Sequence, residues 1–222
     1  MKQAVFLQKL NLALNSNTVY GSGAFGASIG NFPSQLDRYA KNTLNRCGSA
    51  EEQKLRNAAK NPPCWTFDCC GLIKGVLWGW NATASSIYGG AVYQSNGVPD
   101  AGAGKSGLIS YCKDVSTDFS NIVVGEMLWL DGHVGVYVGD GMAIECTTAW
   151  DDKVQKVECW NVKKTGRGRK WTSHGKLPWV EYDVTPTTAY SVVIGEYKTK
   201  AEAEKIQAAL KVLGTESVIK TK

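Results

Sequence analysis

The spacing of apolar and polar residues predicts helices in the first part of the chain and strands in the second. Residues 1–15 have the pattern of an amphipathic opening helix, and residues 67–80 repeat apolar positions at helical spacing. Helices followed by antiparallel strands predict an α+β domain. The predicted strands lie at 121–130, 133–138, 142–146, 154–160 and 177–184.

Turn and breaker residues predict the segments between these elements. Residues 15–50 are rich in Gly, Ser and Asn and predict a loop, and residues 81–120 have no regular pattern. Between them, Ser49-x-x-Glu52 predicts a capping box at the start of a short helix, which two consecutive prolines end.

A second, smaller unit is predicted after the main domain. The main domain spans residues 1–182, and residues 183–189 have the composition of a linker. Residues 190–222 predict a strand, a helix that begins at the capping box Thr199-x-x-Glu202, and a second strand. Such a βαβ unit has too small a core to be stable alone. We expect it to dock on the main domain, to pair with a second copy in a homodimer, or to belong to a longer chain.

The composition is that of a globular protein, since 43% of the 222 residues are apolar and 20% are charged. No stretch approaches the ~18 consecutive apolar residues of a membrane-spanning helix, which predicts no membrane insertion. The first residues lack the apolar core and cleavage site of a signal peptide. We therefore expect the protein to be made in the cytoplasm without one.

Basic residues concentrate between positions 161 and 176, in a chain of formal net charge +5. This segment is interpreted either as a solvated loop or as a contact surface for an anionic polymer, with Lys163 and Arg167 as candidate contacts. Nucleic acid is not an expected partner, because no nucleic-acid-binding motif accompanies the basic residues.

The seven cysteines have no regular spacing and form no C-x-x-C pair. An odd number without a pattern argues against a disulfide framework, and the spacing from Cys64 to Cys69 does not fit a zinc site. We therefore expect free thiols, no metal and no cofactor. Most of these thiols would be inert apolar side chains.

Cys69 differs from the other cysteines by its place at a predicted helix start. Asp68 is a good N-cap residue, which puts Cys69 in the first helical turn. Unpaired N–H groups and the helix dipole lower the pKa of a thiol there. Position alone leaves two interpretations, a nucleophile and a buried structural cysteine.

A nucleophilic thiol needs a base, and the chain has two histidines. His133 begins a predicted strand, and a rigid sheet would aim it at the helix start. His174 lies in the basic segment, which we expect to be a mobile loop. His133 is therefore the preferred base.

A third polar group should orient the imidazole, and Glu145 is the candidate. His133 and Glu145 share one face of the predicted hairpin, as diagonal neighbours about 7–8 Å apart, only if the turn has an odd number of residues or a bulge. A two-residue turn alone would put them on opposite faces. Asp131 and Asp152 are the weaker alternatives.

Two motifs resemble those of the NlpC-type cell-wall cysteine peptidases. Asp68-Cys69-Cys70-Gly71-Leu72 is similar to their D-C-S-G-L nucleophile motif, and the C-x-G spacing selects Cys69 over Cys70. A Gly-Glu pair at 125–126, followed by HVGVYVGDG at 133–141, is similar to their G-D … H-V-G-I-Y-x-G-D-G run. The resemblance covers about residues 18–160.

The resemblance implies a papain-like cysteine peptidase fold, in which N-terminal helices pack on a central antiparallel sheet. It implies Cys69 as nucleophile and His133 as general base and acid. The family's third residue, usually His, falls at Glu145, and a carboxylate takes this role in the related CHAP amidases. The family's oxyanion tyrosine would correspond to Tyr20, although the chain between Tyr20 and Cys69 is longer than is usual in the family.

The implied substrate is bacterial peptidoglycan. The implied reaction is cleavage of a stem-peptide amide bond, by a D-glutamyl-diamino-acid endopeptidase or an N-acetylmuramoyl-L-alanine amidase. The setting would be a phage endolysin released by a holin, a host autolysin or an effector toxin. Trp65 and Trp129 are candidates to line the substrate groove, with core packing as the alternative. Residues 190–222 resemble half of a SPOR repeat, a peptidoglycan-binding module.

Two other classes of function fit the same residues. One is a cysteine amidase or acyltransferase that acts on a substrate outside the wall. The other is a wall-binding protein without catalysis. A turbidity assay on bacterial walls distinguishes the first, and rapid His133-dependent alkylation of Cys69 distinguishes the second.

Overall fold

A computed structural model of the protein describes residues 1–182 and 199–212. The contacts within the chain divide it into two units, Met1–Asp183 and Val184–Lys222. The division falls at the start of the segment with linker composition.

The described residues of the first unit contain four α-helices and ten strands. Short 3-10 turns at Ser95–Gly97, Leu108–Tyr111 and Phe119–Asn121 lie in the irregular region between the helices and the main sheet. The helices are α1 (Gln3–Asn15), α2 (Pro33–Cys47), α3 (Ser49–Ala58) and α4 (Cys69–Leu77). The strands are β1 (Thr18–Tyr20), β2 (Phe25–Ser28), β3 (Trp65–Phe67), β4 (Lys113–Ser116), β5 (Met127–Leu130), β6 (His133–Gly139), β7 (Met142–Cys146), β8 (Val154–Cys159), β9 (Gly168–Arg169) and β10 (Ser173–Lys176).

Within residues 1–182, the strands form two sheets. The larger has seven strands in the order β4-β10-β5-β6-β7-β8-β9, and its neighbours are antiparallel except for the parallel pair β8 and β9. The smaller has three strands in the order β1-β3-β2, with β1 parallel and β2 antiparallel to β3. The predicted α+β class is therefore confirmed, with N-terminal helices and a mostly antiparallel seven-stranded sheet.

The main core lies between α1, α4 and one face of the larger sheet. Phe6 and Leu10 from α1, Ile73 from α4, and Val134 and Val136 from β6 are all fully buried in it. Burial of each such side chain stabilises the fold by about 1.5–3 kcal/mol. Residues of the opposite face of the sheet form a separate cluster (Leu128, Tyr137, Ala143, Val157 and Trp171).

Two glycines allow α4 to lie directly against the backbone of β2 and the residue before it. A Cβ atom at Gly71 would lie 1.8 Å from the carbonyl oxygen of Ala24, and one at Gly75 would lie 2.4 Å from that of Phe25. Any larger residue at either position would push the helix away. The glycine of the C-x-G motif therefore has a packing function.

The prediction of a loop over residues 15–50 is wrong, because this stretch contains β1, β2 and α2. The two strands are only three and four residues long, and α2 is polar on most of its surface and buries just Tyr39, Ala40 and Thr43, so none of them contains a run of apolar residues. The capping box at Ser49 is also wrong. Gly48, with a φ of 96°, is the N-cap, and Ser49 is already helical.

The predictions for residues 161–184 are wrong in part. The basic segment contains β9 and β10, and β10 pairs with both β4 and β5. Residues 177–182, predicted as a strand, contain only an isolated bridge between Glu181 and Lys2. Pro178 has no N–H group to donate to a neighbouring strand.

The second unit is described over one helix, α5 (Lys200–Val212). The predicted capping box is confirmed, since the N–H of Glu202 donates to Oγ1 of Thr199 at 3.3 Å and the N–H of Thr199 donates to Oε2 of Glu202 at 3.2 Å. The linker 183–189 and the two predicted strands of the βαβ unit lie outside the described residues.

Among residues 1–182 and 199–212, none of the helices has the length and apolar character needed to span a membrane.

Candidate active site

Cys69 is the first residue of α4, and it is partly exposed. Asp68 is the predicted N-cap: its Oδ1 accepts a hydrogen bond from the N–H of Gly71 at 2.6 Å, and its Oδ2 accepts one from the N–H of Gly23 at 2.8 Å. Burial, followed by the charge of Cys69, raises the pKa of Asp68 to about 6. One carboxyl group thus joins the helix start to the loop before β2, and the thiol lies where the helix dipole favours negative charge.

His133 is buried at the start of β6, and its ring and the Cys69 thiol are close enough that each shifts the pKa of the other. Its Nε2 lies 2.8 Å from Oε2 of Glu145, which is fully buried. Because the carboxylate occupies Nε2, Nδ1 is the ring nitrogen that remains for the thiol. The structure therefore brings together the three residues predicted from the sequence.

A β-bulge places His133 and Glu145 on one face of the hairpin. Gly139 pairs with Met142, which leaves a turn of two residues, and the register then shifts by one because Val138 is an extra residue in β6. Without that residue, the two-residue turn would direct Glu145 to the opposite face. The condition derived from the sequence is met by a bulge and not by a longer turn.

The pKa of Cys69 lies well below the ordinary value of a thiol. The hydrogen bond from the Cys70 thiol lowers it most, burial opposes this, and the hydrogen bond and charge of His133 and the N–H of Val134 lower it further. Burial by itself lowers the pKa of His133, but hydrogen bonds to Cys69 and Glu145 and their negative charges raise it above the ordinary value of 6.5. Both shifts favour a thiolate–imidazolium pair.

Tyr20 lies near enough to Cys69 for the charge of the thiolate to affect its pKa, although it is distant in the sequence. It ends β1, which pairs in parallel with β3 so that Tyr20 lies opposite Phe67. Burial, followed by the charges of Asp68 and Cys69, raises the pKa of Tyr20, so its hydroxyl remains protonated and is able to donate. The long stretch between Tyr20 and Cys69 forms β2, α2 and α3 and then returns to the smaller sheet.

A fourth side chain, Arg169 of β9, was missed by sequence reasoning. Its Nη2 donates to Oε1 of Glu145 at 2.9 Å. Its guanidinium carbon lies 4.9 Å from the ring centroid of Trp150 and 5.7 Å from that of Trp171. Trp171 stacks on His133, with ring centroids 5.5 Å apart and an interplanar angle of 15°. Arg169 lies in the basic segment, but no spacing pattern marks the two-residue strand that carries it.

The two tryptophans predicted to line a substrate groove lie in the core. Trp65 is 1% exposed and Trp129 is 7% exposed, and Nε1 of Trp129 donates to the carbonyl oxygen of Ala103 at 2.7 Å. Side chains buried this deeply have no surface that could contact a substrate. The alternative interpretation, core packing, is therefore the one that fits both tryptophans.

The two predicted basic contacts lie on the surface in ion pairs. Nζ of Lys163 lies 3.9 Å from Oε1 of Glu158. Arg167 donates two hydrogen bonds of 2.8 Å to the carboxylate of Asp151. Both residues remain accessible to an anionic polymer, and neither contacts the three central residues.

His174, the other histidine, is buried in β10 and not in a mobile loop. Its Nδ1 is bound to the carboxylate of Glu126, and its Nε2 lies 2.9 Å from the carbonyl oxygen of Asp118. With both ring nitrogens engaged, it has a structural role. Its burial follows from the pairing of β10 on both sides, which its polar sequence did not indicate.

The alternatives for the third group lie elsewhere. Asp131 is exposed in the turn between β5 and β6, and Asp152 lies beside Glu51 of α3. The seven cysteines, all within the first unit, are free thiols. In the part of the chain that the structure describes, no three His, Cys, Asp or Glu side chains are grouped to hold a metal ion.

Comparison of the chain with models of known protein families, with curated proteins and with solved structures finds no match.

Proposed function

We propose that the protein is a cysteine amidohydrolase that cleaves an amide bond in the stem peptide of bacterial peptidoglycan. The observation that carries this proposal is the proximity of the Cys69 thiol, at a helix N-terminus, to His133, whose Nε2 is bound to Glu145. A nucleophile, a base and a group that orients the base are the components of thiol hydrolases.

The architecture supports a papain-like arrangement. A buried helix carries the nucleophile at its first residue, and it packs on an antiparallel sheet whose strand β6 presents the histidine. The nucleophile precedes the base along the chain, and the helices precede the sheet, as the resemblance to NlpC-type peptidases implies.

The first half of the reaction forms a thioester. The Cys69 thiolate attacks the carbonyl carbon, and the oxyanion accepts hydrogen bonds from the N–H groups at the start of α4 and from the Tyr20 hydroxyl. Each well-placed donor stabilises the transition state by about 3–4 kcal/mol. The His133 imidazolium then gives its proton to the leaving nitrogen, the C–N bond breaks, and the amine departs.

The second half hydrolyses the thioester. Neutral His133 takes a proton from water, and the resulting hydroxide attacks the thioester carbonyl. The C–S bond breaks, the peptide leaves as a carboxylic acid that loses its proton to solvent, and the thiolate–imidazolium pair is restored. Glu145 holds the ring in one orientation through both halves.

Peptidoglycan as the substrate is supported by the two NlpC-type motifs and by the net charge of +5, which suits an anionic wall. The SPOR-like second unit would add affinity for the wall. If the protein is phage-encoded, an enzyme made in the cytoplasm would reach the wall through a holin. Mass spectrometry of digested walls assigns the bond, D-glutamyl-diamino acid or N-acetylmuramoyl-L-alanine.

Replacement of the nucleophile tests the proposal. Cys69→Ala should lower the rate of lysis of purified walls by at least about a thousandfold, because no other group forms the acyl-enzyme. Cys47→Ala, at an exposed cysteine, is the matched control and should lyse walls at the wild-type rate. Turbidity of a wall suspension gives the rate, and circular dichroism verifies that both variants fold.

Two outcomes would reject the proposal. Lysis that survives Cys69→Ala would exclude the thiol mechanism. A wild-type protein that leaves walls intact, while Cys69 is alkylated quickly and only when His133 is present, would instead indicate a cysteine amidase or acyltransferase with another substrate. Slow alkylation together with wall binding would indicate a non-catalytic binding protein.

A further inference from the structure

The carboxylate of Glu145 has two hydrogen-bond partners, one at each oxygen. Oε2 faces Nε2 of His133 at 2.8 Å, and Oε1 accepts a hydrogen bond from Nη2 of Arg169 at 2.9 Å. The carboxylate itself is fully buried. A hydrogen bond at each oxygen fixes the plane of the carboxylate, and with it the line along which it meets the imidazole ring.

The arginine also completes the charge balance of the site. In the reactive state the thiolate and Glu145 are negative and the imidazolium is positive, which leaves one uncompensated negative charge in a buried place. The guanidinium of Arg169 supplies the matching positive charge. A buried carboxylate without such compensation is costly, and it would attract the imidazolium proton more strongly.

Two tryptophans hold the guanidinium in place. It lies over Trp150 and Trp171, at 4.9 and 5.7 Å from their ring centroids, and the Arg169 side chain is 21% exposed. Its backbone is held as well, since its carbonyl oxygen accepts the N–H of Trp160 at 2.9 Å. Because Trp171 also stacks on His133, arginine and imidazole share one aromatic neighbour.

We propose that Arg169 is a positioning residue for the cysteine–histidine pair, acting through Glu145, whose carboxylate it orients and whose charge it balances. Its part in turnover rests on the proposed function. Its effect on the reactivity of Cys69 does not, because alkylation of the thiol requires no wall substrate.

Other titratable groups also face the Cys69–His133 pair, and each belongs to an element described above. Asp68 and Cys70 approach Cys69 from the start of α4, Tyr20 from β1 and Cys146 from β7. These groups are unchanged when Arg169 is replaced. A shift in the behaviour of the pair then reports the loss of the guanidinium.

The test uses the full chain with Arg169→Gln. Removal of the positive charge should raise the pKa of His133 by about one unit, followed by NMR of its ring protons, and should move the pH dependence of Cys69 alkylation by iodoacetamide in the same direction. Lysis of walls at neutral pH should fall about tenfold in kcat with little change in KM. Arg169→Lys keeps the charge but not the planar fork, and should restore most of the pH shift and part of kcat.

Arg56→Gln is the matched control, because Arg56 donates to Glu52 and Asp37 on the surface, away from Cys69. It should leave both pH profiles unchanged. The proposal is overturned if Arg169→Gln lowers only the melting temperature and keeps the wild-type pH profiles, which is the behaviour of a purely structural arginine. Failure of wall lysis in the wild type would reject the proposed function and leave the alkylation profile to decide on Arg169.

Discussion

A thiol becomes a nucleophile where its surroundings favour the thiolate, and the residues around Cys69 act in this way. The Cys70 thiol, the His133 ring and the N–H of Val134 all donate toward the sulfur, and together they outweigh the burial that raises the pKa. Glu145 acts on the thiol indirectly, through His133: its hydrogen bond and charge raise the pKa of His133 and so favour the imidazolium. At this scale the reactive state is a property of the group of residues and not of the cysteine alone.

Glu145→Gln tests the contribution of the carboxylate. The pKa of His133 should fall toward its ordinary value, because one of the negative charges that raise it is removed. Wall lysis should slow by roughly 10–100-fold in kcat, since the imidazolium is less stabilised and the ring less fixed. NMR titration of His133 and turbidity assays measure the two effects.

Glu126→Gln is the control for this variant, because it removes the carboxylate from the other buried histidine pair, that of His174. Assayed well below its melting temperature, it should lyse walls at the wild-type rate. Equal losses in the two variants would mean that a general loss of stability, and not the position of Glu145, explains the effect.

At the scale of elements, α4 determines where the thiol lies. Its buried apolar residues hold it against α1 and the larger sheet, and its two glycines hold it against the chain at Ala24 and Phe25. Asp68 connects the same helix end to Gly23 through a hydrogen bond of 2.8 Å. Close packing and the N-cap therefore act on one end of one helix, and a small displacement of that end would separate Cys69 from His133.

Gly71→Ala should move this helix end. A Cβ atom at position 71 would lie 1.8 Å from the carbonyl oxygen of Ala24. Relief of this overlap requires a shift of the backbone, which costs more free energy than a change of side-chain rotamer. We expect the free energy of unfolding to fall by about 3 kcal/mol, measured by denaturant titration, and alkylation of Cys69 to slow. In Gly102→Ala, the matched control, a Cβ would meet no atom of the described residues within 4 Å, and stability should change by less than about 1 kcal/mol. Similar losses in both variants would contradict the packing argument.

At the scale of the whole first unit, residues distant in the sequence hold the chain together around the site. The N-terminal amine donates to the carbonyl oxygen of Trp179 at 2.8 Å, and the N–H of Tyr20 donates to that of Asp152 at 2.9 Å. The Asp152 side chain turns toward α3, where Lys54 lies 3.8 Å away. Among the described residues, both carboxylate oxygens of Asp152 and Oε2 of Glu51 are buried without a hydrogen-bond partner, and a proton shared between the two carboxyl groups would satisfy one oxygen of each.

This carboxyl pair predicts a loss of stability with rising pH. Burial, followed by the hydrogen bond and charge of Glu51, raises the pKa of Asp152 from 3.8 to about 7. The folded chain then binds this proton more tightly than the unfolded chain, so the stabilisation is complete below about pH 4 and is lost as the pH rises through about 7. Asp152→Asn should therefore raise the melting temperature at pH 8 by about 5 °C and give no gain at pH 4, as measured by calorimetry.

Asp140→Asn is the control for this prediction. Asp140 and Asp152 have nearly the same left-handed φ, 53° and 54°, which asparagine adopts as readily, but Asp140 is exposed. Its replacement should leave the pH dependence unchanged. An Asp152→Asn variant whose melting temperature follows the wild type from pH 4 to pH 8 would exclude a shared proton.

Much of the candidate site follows from local sequence. The N-cap at Asp68, the start of α4 at Cys69 and the strands β6 and β7 depend on residues close together in the chain, where spacing and capping rules apply. The choice of His133 over His174 needed only the expectation that a strand is more rigid than a basic loop. His174 is itself in a strand, however, and it is excluded as the base by its hydrogen bonds to other groups.

The tertiary structure decided the positions of Glu145, Arg169 and Tyr20, because these depend on a single extra residue or on pairing between distant strands. The extra residue Val138 determines the face on which Glu145 lies, and a hairpin pattern with a Gly-Asp-Gly turn is equally compatible with either face. The two-residue strand that brings Arg169 to Glu145 is too short to have a period. Tyr20 comes near the nucleophile only through the pairing of β1 with β3, which places it opposite Phe67. Local rules act over a few residues, whereas these contacts join parts of the chain whose approach is set by the packing of the whole unit.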